Sequence, residues 1–301
     1  MQITLAVDDN REQSSAAISL LKALDFEGPI LTDVVSVIEM IGRADVAIGV
    51  GAFLDNAVGS PFVSLQKKLA DEALEWASQE LTRGHFTPVS HVLYGNAARS
   101  ILHHVTKTLS ELLVLGSEHK SPLDGFVTGS VGRKTIIHSP ISVLLARTSD
   151  KPLHTLKVVL ATDHSAYAND CLELLRKFSP RGFDQLVVTT VLPAQVSAMA
   201  SSTFTKEDAA ASYKRGLYEA NGALIGKMKD LCGSCFSRVE EGDVCEVLSR
   251  VMLEEKADML VLGAQGHGFA DRLLIGSVSL KMAAIEPKSV FILRRPIAEF
   301  D

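Results

Sequence analysis

The sequence lacks the features that would point to a membrane or to nucleic acid. Its apolar runs are about five to eight residues long, far short of the roughly 20 that a membrane-spanning helix needs. No basic stripe stands out, and the formal net charge is −6 over 301 residues, so we expect no nucleic-acid partner and no membrane partner. The first residues carry two carboxylates and no basic segment before an apolar one, which predicts a cytoplasmic protein without a secretion signal.

Cysteine is scarce, and all of it lies in the second half of the chain, at Cys171, Cys232, Cys235 and Cys245. A cytosolic protein keeps its thiols reduced, so we expect no disulfide. Cys232 and Cys235 have the spacing of half a zinc site or of a redox pair, but a second ligand pair is missing and no thioredoxin-like pattern surrounds them. We therefore favour a structural or incidental role for this pair and predict no metal site.

The sequence does contain an internal repeat. Segments 111–116 (ELLVLG) and 258–263 (DMLVLG) match, as do 140–147 (PISVLLAR) and 287–294 (PKSVFILR), and both pairs are 147 residues apart. Near the start of each copy, Leu5–Asp8 matches Leu160–Asp163 with an offset of 155. Self-similarity with a constant offset over the last third of each half predicts two copies of one fold.

The difference between the two offsets indicates an insertion in the first copy, and the composition between the copies indicates the domain boundary. The first copy is longer, and we assign its extra residues to the segment around Gly51 to Pro61, which is rich in glycine, alanine and asparagine. Residues 148–152 are polar and contain a proline, as linkers often do. With 47% hydrophobic residues, each half can form its own core. We predict domains at 1–149 and 150–301.

Strand and helix patterns alternate within each copy. In the second copy, apolar runs predict strands at 156–161, 185–192, 236–239, 259–262 and 290–293. Helical patterns cover 166–178, about 206–231 and 244–256, and a last helix begins near Ser277. Five strands alternating with four helices predict an α/β fold, with two Rossmann-like, doubly wound domains that each contain a five-stranded parallel sheet flanked by helices.

The segment from Gly263 to Ser279 leaves the fourth strand and enters the last helix. Such sheets bind ligands beyond the carboxyl ends of their strands, where the strand order reverses. Gly263 lets the backbone turn off the strand, and Gly266 can adopt a positive φ and direct its amide at a ligand. Gly276 begins a helix whose free amides attract an anion, and the hydroxyls of Ser277 and Ser279 can donate further bonds. The segment predicts a polyphosphate site.

A second interpretation of the same residues stays open. The glycines can serve only to end a strand and begin a helix. Asp163 precedes His164 and Ser165 and an apolar helical pattern, so it can be a helix N-cap. The stretch 194–202, rich in alanine and serine, can be a flap over the pocket or a plain surface loop.

The pattern Gly-x2-Gly-x9-Gly-Ser, together with the aspartate after the first strand, resembles the ATP-binding branch of the universal stress protein family. The resemblance covers both halves. It implies that Asp163 contacts adenosine, that Val191 lines the adenine pocket, and that ATP is bound, with Mg2+. The nucleotide-binding residues that it implies are Asp163, Val191, Leu262, Gly263, Gly266, His267, Gly276, Ser277, Val278 and Ser279, with Arg272 as a further neighbour of the phosphates.

The first copy departs from this pattern. Its middle glycine is replaced by His119, and the second helix hydroxyl by Gly132. A Cβ at position 119 resists a positive φ, and Glu118 adds negative charge where phosphates would lie. We therefore predict a degenerate site in this half, formed by Asp8, Val37, Gly116, His119, Gly129 and Ser130.

Three functions are consistent with these observations. The resemblance implies a stress-response regulator that binds ATP in its second domain and meets unknown protein partners. A slow ATPase or phosphotransfer enzyme is the second hypothesis, although no Walker lysine motif is present and we assign no catalytic residue. The third is a scaffold without nucleotide.

The resemblance also implies how the halves pair. Single-domain relatives associate through their last strands, here 142–146 and 289–293, so the two halves should pack about a pseudo-twofold axis within one chain. A homodimer of such chains stays open.

Overall fold

The computed structural model describes residues 1–39, 61–117, 130–193, 206–266 and 275–295. In the first half the strands are β1 (Gln2–Ala6), β2 (Ile30–Ile38), β3 (Phe86–Tyr94), β4 (Leu112–Gly116) and β5 (Ser142–Ala146), and the helices are α1 (Arg11–Leu24), α2 (Pro61–Thr82), α3 (Ala97–Lys107) and α4 (Ser130–His138). In the second half the strands are β6 (Leu156–Ala161), β7 (Phe183–Leu192), β8 (Cys232–Glu241), β9 (Met259–Gly263) and β10 (Ser289–Leu293). Its helices are α5 (Ala166–Phe178), α6 (Lys206–Met228), α7 (Val244–Glu254) and α8 (Ser277–Ile285). None of the helices in these ranges is both long and apolar enough to cross a membrane.

The ten strands form one continuous sheet in the order β3-β2-β1-β4-β5-β10-β9-β6-β7-β8. All neighbours are parallel except β5 and β10, which pair antiparallel. The predicted fold class, two α/β domains with doubly wound sheets, is confirmed. So is the pairing of the two halves through their last strands.

Two apolar cores cover the two faces of the sheet. One lies under α1, α2, α5 and α6, and the other lies under α3, α4, α7 and α8. Successive strand residues alternate between them: Leu144 belongs to the first core and Val143 to the second. Because both faces are covered, the central strands β4, β5, β9 and β10 are almost entirely apolar, as is typical of buried parallel strands.

The β5–β10 junction is symmetric about its centre. Leu144 pairs with Phe291, and these are equivalent positions of the repeat. Arg147 and Arg294 directly follow the two strands, and both are buried. Arg147 Nη2 donates to the Ala283 carbonyl (2.7 Å), and Arg294 Nη2 makes the equivalent bond to the Ile136 carbonyl (3.4 Å). Each half therefore supplies an arginine that donates a hydrogen bond to a backbone carbonyl in the last helix of the other half.

The structure contradicts the prediction about the cysteines, and it does not describe two of the predicted loop segments. Cys232 and Cys235 form a disulfide, with their Cα atoms 6.7 Å apart, so the prediction of four reduced cysteines is wrong; the Cα separation is one that a disulfide spans. Cys171 and Cys245 are free and buried. The segment 51–60 and the stretch 194–202 lie outside the described residues.

Candidate functional site

The candidate site lies where the strand order of the second half reverses. Ala161 near the end of β6 pairs with Leu262 of β9 on one side and with Thr189 of β7 on the other. All three strands are parallel, so their carboxyl ends share one edge. The chain leaves β6 toward β7 and returns on the opposite side at β9. This edge is the switch point at which ligands bind in such sheets.

Asp163 sits in the turn that follows β6. Its Oδ1 accepts a hydrogen bond from the Ser165 amide (3.0 Å). The N-cap of α5 is Ser165, whose hydroxyl oxygen accepts from the Ala168 amide (3.1 Å). The interpretation of Asp163 as the helix N-cap is therefore wrong. Asp163 is exposed and shapes the turn ahead of the cap.

A buried polar network fixes this turn. His164 has a φ of 57°, an unusual conformation for a residue with a Cβ. Its Nε2 lies 2.8 Å from Asn221 Oδ1, which also accepts the Thr190 hydroxyl at 2.8 Å. Asn221 is fully buried, and its Nδ2 donates to Ser237 Oγ (3.1 Å). Helix α6 and strands β7 and β8 thereby hold the backbone that carries Asp163.

Gly266 lies against Asp163. A Cβ at position 266 would stand 2.7 Å from Asp163 Oδ2, closer than real Cβ atoms come to an oxygen. The prediction of a positive φ at Gly266 is wrong, because the positive-φ glycines of the described residues are Gly28, Gly95 and Gly242. Glycine is required here for close approach to the carboxylate instead. His267 and Arg272 lie outside the described residues.

The start of α8 closes the loop onto the end of β9. The Gly276 amide donates to the Ala264 carbonyl (2.7 Å), and the Ser279 hydroxyl donates to the Gly263 carbonyl (2.7 Å). Ser279 is buried, and its hydroxyl proton joins the start of α8 to the end of β9. The expectation that this hydroxyl donates to a ligand is therefore wrong. Ser277 is exposed.

The amides of the first turn of α8 are the donors of this edge. Gly276 is the N-cap and supplies no side-chain cap. The first intrahelical bond runs from the Leu280 amide to the Gly276 carbonyl (3.0 Å). The amides of Ser277, Val278 and Ser279 precede it and have no intrahelical acceptor. They point along the positive end of the helix dipole, which favours an anion.

The apolar residues of the predicted site differ in their access. Val191, at the end of β7, and Val278, in α8, are half-buried and pack at the margin of the second core. Leu262 is buried within that core. Val191 and Val278 can therefore offer apolar surface to a ligand, whereas only the backbone of Leu262 lies near the edge.

The first half has a related but different edge. Asp8 follows β1, and its Oδ1 accepts the Asn10 amide (3.1 Å); burial raises the pKa of this carboxyl above its usual range. A Cβ at Gly116 would lie 2.5 Å from the carbonyl oxygen of Gln13 in α1, so this glycine is required for helix packing.

The remaining residues of that predicted site are partly described. Val37 is half-buried near the end of β2, and Ser130 begins α4. His119 and Gly129 lie outside the described residues.

Two solved structures match the fold over nearly the whole chain. A universal stress protein from Archaeoglobus fulgidus DSM 4304 is 18% identical, with a TM-score of 0.64, and 98% of each chain is covered. A putative universal stress protein from Pseudomonas aeruginosa UCBPP-PA14 is 13% identical, with a TM-score of 0.56 over 97% of this chain and 92% of that one. A further universal stress protein from Archaeoglobus fulgidus, 16% identical over 48% of this chain and 97% of its own, with a TM-score of 0.33, was solved in complex with dAMP.

No curated protein is significantly similar to the sequence. The family model of the universal stress protein family matches twice, over residues 2–147 and again over residues 155–294. The chain therefore belongs to the universal stress protein family and contains two such domains in tandem.

Proposed function

We propose that this protein is a cytoplasmic stress-response regulator that binds one ATP, with Mg2+, in its second domain, residues 150–301. The observation that carries the proposal is the contact between Gly266 and Asp163 at the switch point of the sheet. This contact brings a carboxylate and a glycine loop to the same edge as the open amides of α8. An adenine nucleotide needs acceptors for its ribose hydroxyls and donors for its phosphates, and these groups supply both.

Each part of the ligand has a matching part of the site. The Asp163 carboxylate accepts hydrogen bonds from the ribose hydroxyls. The amides at the start of α8, with the exposed Ser277 hydroxyl, donate to the phosphates. Val191, half-buried at the end of β7, provides apolar surface for the adenine ring. These residues bind and orient the nucleotide, and the proposal assigns no catalytic step to them.

The first domain, residues 1–149, has a different role in this proposal. Its Gly116 is required by the packing of α1, and its middle loop glycine is replaced by His119. We assign no ATP to this half. Occupancy of the second site changes the surface that the chain offers to protein partners, which is how a binding protein without catalysis transmits a signal.

The assignment of Asp163 is tested by replacing it with alanine. Loss of hydrogen bonds to a charged acceptor costs about 1.5–3 kcal/mol, so we expect the Kd for ATP with Mg2+ to rise about 10- to 100-fold. Asp230→Ala is the matched control. Asp230 is exposed and lies just before the amino end of β8, whereas the site lies at the carboxyl ends of the strands. Removing its charge should leave the Kd unchanged. Equal affinity of wild-type protein and Asp163→Ala in calorimetric titrations would contradict the assignment.

A further inference from the structure

A second group of polar side chains converges in the first half, away from the nucleotide edge. Asp33 lies on β2, His91 on the edge strand β3, and His104 on α3. Asp33 Oδ1 is 3.2 Å from His91 Nε2, and Asp33 Oδ2 is 3.1 Å from His104 Nε2. The three ligand atoms all lie within 4.8 Å of one another. Three separate elements thus direct two imidazole nitrogens at one carboxylate.

Packing of the fold does not require these polar groups. By strand register and repeat offset, Asp33 and His104 occupy the positions that Val187 and Val251 hold in the second half. Both valines are buried in the apolar core of that half. The same scaffold is therefore stable with hydrocarbon at these positions, and burying a carboxylate and an imidazole there costs free energy. The presence of Asp33 and His104 at these positions is therefore explained by something other than the stability of the fold.

Two of the three side chains are shielded from water. Asp33 is 5% exposed and His104 is 8% exposed. A neutral imidazole has a lone pair on one of its two nitrogens, and that nitrogen can bind a metal. Gln2 Nε2 also donates to Asp33 Oδ2 (3.0 Å), which helps to hold the carboxylate in this orientation.

We propose that Asp33, His91 and His104 form a binding site for one divalent transition-metal ion of the zinc class. Ligands about 2.0–2.2 Å from a tetrahedral zinc ion stand roughly 3.4 Å from one another. His91 Nε2 is 3.2 Å from Asp33 Oδ1 and His104 Nε2 is 3.1 Å from Asp33 Oδ2, so each imidazole is at ligand spacing from one carboxylate oxygen. The three ligand atoms, which lie within 4.8 Å of one another, draw together as the ion binds. Two nitrogens and one oxygen favour Zn2+ or Co2+ over Mg2+ and Ca2+, which prefer oxygen ligands. The hydrogen bonds among the three side chains hold the site in shape before the ion enters.

The site has an entrance. The His91 side chain is 35% exposed, and its strand is the outer edge of the sheet. Three protein ligands leave a fourth tetrahedral position for water, as in open zinc sites. The ion therefore enters from the β3 side. As it binds, the proton of each Nε2 is lost and the neutral ring carries its proton on Nδ1, so that the Nε2 lone pairs and one Asp33 oxygen form three coordinate bonds in place of the two hydrogen bonds.

Titration of the full-length, oxidised chain with Co2+ tests the proposal. The Cys232–Cys235 disulfide keeps those sulfurs from binding the ion. We expect one Co2+ per chain with the visible absorption of a four- or five-coordinate ion, full displacement by Zn2+, and a rise in melting temperature with Zn2+. Asp33→Asn and His91→Ala, each checked for folding by circular dichroism, should weaken binding at least about 100-fold. His103→Ala, the exposed neighbour on the same helix, should bind as wild type.

The variants remove one ligand each with little change of packing. Asp33→Asn keeps the shape of the side chain, and His91 sits at the partly exposed edge of the sheet. Absence of saturable Co2+ and Zn2+ binding to the wild-type chain would overturn the proposal. So would stoichiometric binding that survives in both folded variants.

Discussion

Replacing Gly182 by alanine is expected to lower the melting temperature by about 5–10 °C, because it separates the two domains where they meet beside the shared sheet. A Cβ at Gly182 would overlap the carbonyl oxygen of Ala23 in α1. That oxygen belongs to the backbone, so no side-chain rotation relieves the overlap, and the two segments have to move apart.

The bonds lost in that movement explain the size of the effect. The Gly182 amide donates to the Leu24 carbonyl (3.1 Å), and the Arg181 amide donates to the Asp25 carbonyl (3.1 Å). Phe26 forms a β-bridge with Pro180 at the same junction. Overpacking and the loss of these bonds together cost about 3 kcal/mol or more.

A second glycine gives the matched control for this prediction. Gly222 lies in α6, and a Cβ there meets no atom within 4 Å. Gly222→Ala should raise stability by about 0.5–1 kcal/mol, because alanine favours the helix. Thermal unfolding of both variants checks the prediction, and a Gly182→Ala protein that melts with the wild type would show that the domain junction is not packed as described.

Replacing Gly266 by valine is expected to abolish most ATP binding while leaving stability nearly unchanged. The nearest atom to the new Cβ is Asp163 Oδ2 at 2.7 Å. It is the end of an exposed side chain, so rotation of that side chain relieves the overlap without moving the backbone, at the cost of its hydrogen bond from the Ser165 amide. The carboxylate then leaves the position that the ribose hydroxyls need. We expect the Kd for ATP to rise about 100-fold or more, with the melting temperature within about 2 °C of wild type.

The measurement compares calorimetric titration with thermal unfolding of the same preparation. Gly226→Ala, a helical substitution into open space, is the control and should retain full affinity. Unchanged ATP affinity in a folded Gly266→Val protein would place the nucleotide elsewhere.

Apolar periodicity in the sequence predicts the buried elements well. Helix α5 spans Ala166–Phe178, the range predicted, and β6 also has its predicted bounds. The edge strand β8 is longer than predicted: it runs over Cys232–Glu241, although only Phe236–Val239 was predicted. An edge strand has fewer neighbours, so its outer residues are polar and exposed, and the apolar signal that identifies buried strands is weak there.

The sequence predicts those residues of the candidate site that belong to a short, recognisable pattern. The loop glycines have a recognisable spacing, Asp163 follows the first predicted strand of its domain, and the structure brings Gly266 and Asp163 together. The reason for glycine at position 266 was not predictable, because it depends on a side chain 103 positions earlier in the sequence. Local spacing cannot distinguish a need for close approach from a need for positive φ.

The groups that sequence analysis missed are those assembled from distant segments. His164, in the turn before α5, contacts Asn221 of α6. Asp33 of β2 contacts His104 of α3. Neither pair has a fixed spacing or a periodic pattern, so only the topology brings them together. A comparison of the two copies could have provided one signal: a buried aspartate in the first half where the second half has Val187.

We propose that one of the two domains binds ATP. This proposal is tested most directly by calorimetric titration of the nucleotide-free, full-length chain with ATP and Mg2+. We predict a single class of sites at about one ATP per chain, because one of the two loops has the required donors. No heat of binding, or two equivalent ATP sites per chain, would contradict the account.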